Sequence, residues 1–227
     1  MKPFNFIPIS LAAAIALTSF PGSARAQTFE PPSDPSPGNT TGGASRTGSC
    51  FSGGSLMPLA PNADRYFTAA ERPTLFVYVP ELGAGTSQLF FSIQDEMANQ
   101  VYETVVPIES GDRVVPLSVP DDAPALEAGR TYRWFASAMC HGELDPDSPV
   151  VAALIERLDE GVASSPTDTP TLAEIERLRS SGAWYDAVSA AARLRHEHPH
   201  NSEVEAVWQE LLNTAGLDSI ASEAIAQ

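Results

Sequence analysis

The string His196-x-His198-x-His200 places three imidazoles at alternate positions, a pattern that could offer nitrogen ligands to a transition metal. On a helix, alternate residues point about 200° apart. Pro199 also interrupts any helix between the last two. The three are therefore read as exposed polar residues at a helix C-terminus, where a cation suits the dipole. The fourth histidine, His141, follows Cys140, and that pair alone defines neither a dyad nor a ligand set. Carboxylates cluster at Asp95-Glu96, Asp121-Asp122, Asp145 with Asp147, and Asp159-Glu160. General acid–base work needs two groups held across a cleft with separated pKa values, which adjacent loop acids do not offer. Asp145-Pro146-Asp147-Ser148 lacks the ligand spacing of a calcium loop and reads as a turn. The chain has no G-x-S-x-G elbow, no H-E-x-x-H, no phosphate-binding P-loop and no G-x-G-x-x-G opening a helix. No catalytic residue, metal ligand or cofactor is assigned.

Two further constellations bear on binding and stability. Cys50 and Cys140 make an even cysteine count, which in an exported chain reads as a disulfide. The alternative is two free thiols, one of them nucleophilic, and no C-x-x-C supports it. Trp184 and Tyr185 follow Gly182. Neighbouring helix positions lie about 100° apart, so one ring can pack inward while the other faces out as an anchor for a protein or glycan partner. Packing of both rings in the core is the alternative.

The compartment is read from the first residues. Lys2 precedes an apolar run from Phe4 to Leu17, and Ala24-Arg25-Ala26 has the small-x-small spacing of a signal-peptidase site. Residues 1–26 are expected to be a cleaved signal peptide, and the mature chain to be periplasmic or secreted with no stable membrane insertion. The leader holds two cations, Lys2 and Arg25, and no acid, so its loss takes the formal charge from −16 to −18. A surface that acidic repels nucleic acid and anionic headgroups. Lys2 is the only lysine, so the mature chain has no lysine for a Schiff base or a phosphate loop.

The elements that must position these residues follow from composition and period. Residues 27–49 are mostly Pro, Gly, Ser and Thr and read as a flexible linker. From 50 to 160 short β-rich runs alternate with turn residues: 73–80, 87–96, 100–108, 112–119, 131–140 and 149–158. Leu89, Phe91 and Ile93 share one strand face, as do Tyr132, Trp134, Ala136, Ala138 and Cys140. Leu126-x-x-Gly129-x-x-Tyr132 resembles a tyrosine corner, in which the phenol bonds to backbone a few residues upstream. The fold expected is mostly β: an immunoglobulin- or fibronectin-like antiparallel sandwich. After a linker at 161–168, residues 169–227 carry helical periodicity. Thr169-Pro170 is read as N-cap and N1, Gly182 as a stop, 183–198 as a second helix, and Ser202 with Glu205 as the capping box of a third. Gly182-x-Trp184-x-x-Ala187-Val188 with Pro199 resembles part of a tetratricopeptide repeat. A single such unit cannot bury its apolar face alone, so a helical hairpin packed on the sandwich or offered to a partner is expected.

Several segments together resemble the cyanobacterial domain-of-unknown-function family numbered 928. They are Gly42-Gly43-Ala44-Ser45-Arg46 before Cys50, PTLFVYVP at 73–80, VYET at 101–104, LEAGRTYRWF at 126–135, Cys140, IERL at 155–158 and GAWYDAV at 182–188. Ala153-Leu154 departs from the glycine and tryptophan expected before IERL. The resemblance implies an exported protein and supplies no catalytic residues to carry over. The reading it leaves is a non-enzymatic binding module of the cell envelope, with protein or glycan partners. The rivals are a hydrolase of envelope polymers using a carboxylate pair, and a structural assembly component.

Overall fold

The computed structural model describes residues 40–41, 50–60, 66–109, 111, 113–159 and 169–226. The expected leader, most of the expected linker at 27–49 and all of that at 161–168 lie outside them. The strands are β1 (Thr40–Thr41), β2 (Met57–Pro58), β3 (Phe67–Thr68), β4 (Thr74–Val79), β5 (Thr86–Asp95), β6 (Gln100–Pro107), β7 (Arg113–Ser118), β8 (Thr131–Cys140), β9 (Val150–Arg157) and β10 (Ala224–Ile225). The helices are α1 (Leu172–Ser180), α2 (Trp184–Glu197) and α3 (Ser202–Thr214). The chain is thus mostly β with C-terminal helices, and all six long runs read from the sequence are strands. Each is rich in β-branched and aromatic residues and is bounded by proline, glycine or an acid–amide turn, which is what sets its length.

One sheet runs β1-β9-β8-β5-β6, with β3 also paired to β9; the other runs β10-β7-β4-β2. The long strands pair antiparallel, β5 with β6 and β8, β8 with β9, and β4 with β7, but β3 lies parallel to β9 and β10 parallel to β7. The purely antiparallel arrangement expected above is corrected on both counts. Each parallel pair is only two residues long and is delivered from a distant part of the chain. That is why no hairpin signal announces it. Thr40 and Thr41, counted in the linker above, pair with Ala152 and Val151 of β9.

The alternation places the core. Leu89, Phe91 and Ile93 are fully buried, and so are Leu75, Val77 and Val79 on β4 and Trp134, Ala136 and Ala138 on β8. They share one buried cluster with Ile175 and Leu178 of α1, Ala187 and Val188 of α2, and Trp208 and Leu212 of α3. The Tyr132 hydroxyl accepts from the Glu127 backbone N–H at 2.8 Å, the upstream phenol–backbone bond read from the sequence. Cys50 and Cys140 form a disulfide with Cα atoms 5.3 Å apart, inside the ordinary range for a bridge. It fastens the segment before β2 to the end of β8.

The helix boundaries differ in detail from the sequence reading. Thr171, not Thr169, caps α1, its Oγ1 accepting from the Glu174 N–H at 3.2 Å. Asn201, not Ser202, caps α3 and accepts from the Glu203 N–H at 2.9 Å. Glu205 is therefore free of the capping role and pairs with Arg195 at 2.7 Å instead. Gly182 does end the first helix: at φ 79° it adopts a left-handed turn, and the Ala183 N–H returns to the Leu178 carbonyl. The tail is not helical throughout, because after α3 and the short turn Asp218–Ile220 the chain becomes β10.

Candidate functional site

Trp184, Tyr185 and Asp186 form the first turn of α2, and all three are buried, at 7 %, 1 % and 2 % exposure. The Trp184 Nε1–H donates to the Leu59 carbonyl at 2.9 Å. The Tyr185 hydroxyl accepts from Trp134 Nε1–H at 3.0 Å and donates to the Leu154 carbonyl at 2.8 Å. Burial pushes that phenol's pKa up. Of the two arrangements read from the sequence, the structure has packing of both rings in the core, and neither Trp184 nor Tyr185 faces outward. Each polar atom is spent inside the protein, and neither ring presents a face to a partner.

Asp186 was passed over in the sequence because it stands alone among apolar residues. Its carboxylate accepts from the Thr68 hydroxyl at 3.1 Å and from the Ala69 N–H at 2.7 Å, tying α2 to the end of β3. Burial pushes its pKa up to about 6, against the lowering influence of those bonds. The role visible here is to fasten the helix to the sheet.

The other singled-out groups stay apart. His196, His198 and His200 are exposed at and beyond the end of α2. His141 has φ 61°, and its N–H donates to the Gly85 carbonyl in a turn. Among the described residues no three His, Cys, Asp or Glu side chains are grouped to hold a metal. Asp95 accepts from the N–H groups of Met97 and Asn99 and from the Asn99 amide, closing the turn between β5 and β6. The Asn99 side-chain bond leads in holding its pKa below the usual carboxylate range. Asp145 and Ser148 close a turn of their own, the Asp145 N–H donating to the Ser148 hydroxyl at 2.9 Å.

A site the sequence did not announce lies where β6 ends, β7 begins and β10 arrives. Pro107, Ile108, Glu109, Arg113, Val115 and residues 224–226 line a cleft of about 410 Å³, within the size range of small-ligand sites. Its parts are positioned locally. The Ile108 N–H donates to the Ser87 carbonyl at 2.7 Å, fixing the end of β6. Gly111 then passes so close to Pro80–Leu82 that a Cβ there would lie 2.7 Å from the Leu82 nitrogen and strike the Pro80 carbonyl oxygen. In β7, Arg113 shares the strand face of the buried Val115 and Leu117. At the strand's first position its side chain reaches the cleft instead of the core. β10 is held in place by the helices: Arg195 donates to the Glu223 carbonyl at 2.8 Å, and Trp208 Nε1–H to the Ala221 carbonyl at 3.0 Å. The Arg195 guanidinium also lies 5.4 Å from the Trp208 ring centre.

The electrostatics of the cleft turn on Arg113. Its Nε is buried and has no hydrogen-bond partner among the described residues, although Glu109 lines the same cleft. A second groove of about 290 Å³, lined by Arg195, His196, Pro199 and Glu205, differs because Arg195 is already neutralised by Glu205. The Arg113 cleft thus places an arginine and a glutamate among Pro107, Ile108, Val115 and Ile225. Among the described residues no helix is long and apolar enough to cross a membrane. A comparison with curated proteins finds no match. The family model described as Domain of Unknown Function (DUF928) matches residues 41–225, so the segments quoted above lie within one family match, and the chain belongs to that family.

Proposed function

We propose that the chain is a non-enzymatic binding module of the cell envelope, exported by its signal peptide to the periplasm or beyond, as its resemblance to cyanobacterial relatives implies. Its scaffold is an immunoglobulin- or fibronectin-like sandwich, and the helices are a tetratricopeptide-like element docked on it. The observation that carries the binding role is the cleft between β6, β7 and β10, lined by Arg113, whose side chain forms no ion pair among the described residues. The disulfide between Cys50 and Cys140 suits an oxidising compartment, and a rigid scaffold keeps such a site pre-formed.

The test is co-sedimentation of the full chain with washed envelope fragments, comparing wild type with Arg113→Gln, while soluble breakdown products are followed over time. Saturable binding that weakens in the variant, with no product release, supports the proposal. Time-dependent release of soluble fragments overturns it in favour of a hydrolase. Concentration-dependent oligomers with no envelope binding overturn it in favour of an assembly component.

A further inference from the structure

We propose that β6 is a self-association edge, to which a second copy of this chain adds its own β6 antiparallel with Val105 on the two-fold axis. This goes beyond the binding role above and does not rest on the Arg113 cleft. The outer backbone groups of an edge strand can pair with another chain unless something guards them. In the smaller sheet proline guards both edges. The Leu59 N–H donates to the Phe76 carbonyl, so Pro58, one position earlier, turns outward and has no N–H to offer. On β7 the Val114 carbonyl accepts from the Ala226 N–H, so Pro116 faces that same edge, again without a donor. In the larger sheet the β1 edge is two residues long. At the opposite edge β6 runs for eight.

The backbone of β6 can be followed group by group. The Ile108 N–H donates to the Ser87 carbonyl at 2.7 Å, and in the same register Leu89 lies opposite Val106 and Phe91 opposite Thr104. Backbone groups alternate sides along a strand, so Thr104, Val106 and Ile108 point theirs at β5. Glu103, Val105 and Pro107 point theirs away from the sheet, where no described strand meets them. Pro107 is tolerated for that reason, because its missing N–H falls on the open side. Side-chain exposure marks the same edge. Val105 is 43 % exposed, and Met97, between β5 and β6, is 72 % exposed; among the described residues these two are the exposed large hydrophobics.

Charge and symmetry select the occupant. The chain carries a net −16, so two copies repel over most of their surface. Residues 100–107 hold a single charged side chain, Glu103. An antiparallel pair centred on Glu103 sets two carboxylates face to face, which is destabilising, and one centred on Thr104 leaves them on the diagonal, about 8 Å apart. Centring on Val105 moves them about 13 Å apart along the strands. The two Val105 residues then exchange both N–H···O=C bonds and cover each other's side chains, while each Glu103 N–H meets the Pro107 carbonyl of the other copy. An unrelated strand would have to match this donor pattern separately; a second copy matches it by symmetry.

The experiment is sedimentation velocity of the exported chain over a concentration series, with Val105→Lys beside it, and mild oxidation of Val105→Cys and Glu103→Cys. Val105 is exposed and its N–H and C=O face away from the sheet, so the substitutions are expected to leave the fold intact, which near-ultraviolet dichroism checks. Wild type should dimerise with a dissociation constant on the order of 1–100 μM, since one strand pair is a small interface. In Val105→Lys two ammonium groups face each other at the axis, and dimerisation should weaken by about tenfold or more. Opposed Cα atoms at the axis lie about 5.5 Å apart, within disulfide reach. Val105→Cys should therefore give a disulfide-linked dimer on a non-reducing gel, and Glu103→Cys should not. A wild type that stays monomeric into the millimolar range overturns the proposal, as does a dimer indifferent to Val105→Lys. Cross-linking through Glu103→Cys in place of Val105→Cys overturns it too, and the cysteine pair decides the matter even if Val105→Lys unfolds. Envelope co-sedimentation is measured separately, so failure of the binding role and failure of self-association show independently.

Discussion

Replacing Asp186 by asparagine tests the energetics of the helix–sheet junction. The carboxylate is 2 % exposed, and burial lifts its pKa from the ordinary 3.8 to about 6. A raised acid holds its proton more tightly in the folded than in the unfolded chain. Stability must therefore fall as pH rises through the window between those values, and the full penalty applies above about pH 6. At about 1.4 kcal/mol per tenfold change in proton affinity, the shift corresponds to on the order of 3 kcal/mol. Asparagine has nearly the same shape, and its carbonyl can still accept from the Ala69 N–H, but it carries no charge to desolvate. Its amide meets the Thr68 hydroxyl less well, which subtracts about 1 kcal/mol. Urea unfolding of both proteins from pH 4 to pH 8 should show a difference near zero at pH 4. By pH 7 the difference should be about 2 kcal/mol in favour of the variant. Asp95 and Glu176, whose pKa values are lowered chiefly by Asn99 and Arg179, impose the opposite trend, but equally in both proteins. A difference that does not change with pH, or a variant less stable at pH 7, refutes the reasoning.

Three other perturbations follow from the same structure. Replacing Cys50 and Cys140 together by serine removes a cross-link spanning 90 residues and should destabilise by up to about 4–5 kcal/mol in chain entropy. A wild-type denaturation midpoint unaffected by reductant would contradict this. Tyr185→Phe keeps the ring but leaves Trp134 Nε1–H and the Leu154 carbonyl without their shared partner. It should cost about 1–3 kcal/mol in denaturant unfolding. Gly111→Ala drives a Cβ into the Pro80–Leu82 backbone and should cost about 1–3 kcal/mol. It should also disturb the Arg113 cleft, visible as weakened envelope co-sedimentation.

The long strands were legible because each carries its own period and its own punctuation. Thr131–Cys140 carries Tyr132, Trp134, Ala136 and Ala138 on one face, and its turn begins at His141 with Gly142. The disulfide followed from cysteine parity read together with the export signal. The two-residue strands were not legible, because Phe67–Thr68 or Ala224–Ile225 is too short to show any period. Their pairing is decided by what the rest of the fold brings alongside. The caps were missed for a related reason. Thr169, Thr171, Asn201 and Ser202 are all competent cap residues, and only the helix start distinguishes them. The Arg113 cleft left no trace in the sequence because its novelty is an absent partner, which no spacing rule reports.

The same limit explains Trp184 and Tyr185. Successive helix positions turn by about 100°, so three in a row span about 200° of the helix circumference. A helix lying on a flat surface buries only about half of that arc, which is the basis for expecting one ring outside. Trp184, Tyr185 and Asp186 are nonetheless all buried, each bonded to a different part of the β structure: Leu59 after β2, Trp134 and Leu154 on β8 and β9, and Thr68–Ala69 at the end of β3. The first turn of α2 is thus enclosed by strands from both sheets. Its polar atoms complete hydrogen bonds that the β region cannot close by itself, since without the helix the indole N–H of Trp134 and the N–H of Ala69 have no acceptor. The helices are accordingly part of the same folding unit as the sheets, and the firm placement of β10 beside the Arg113 cleft depends on that attachment.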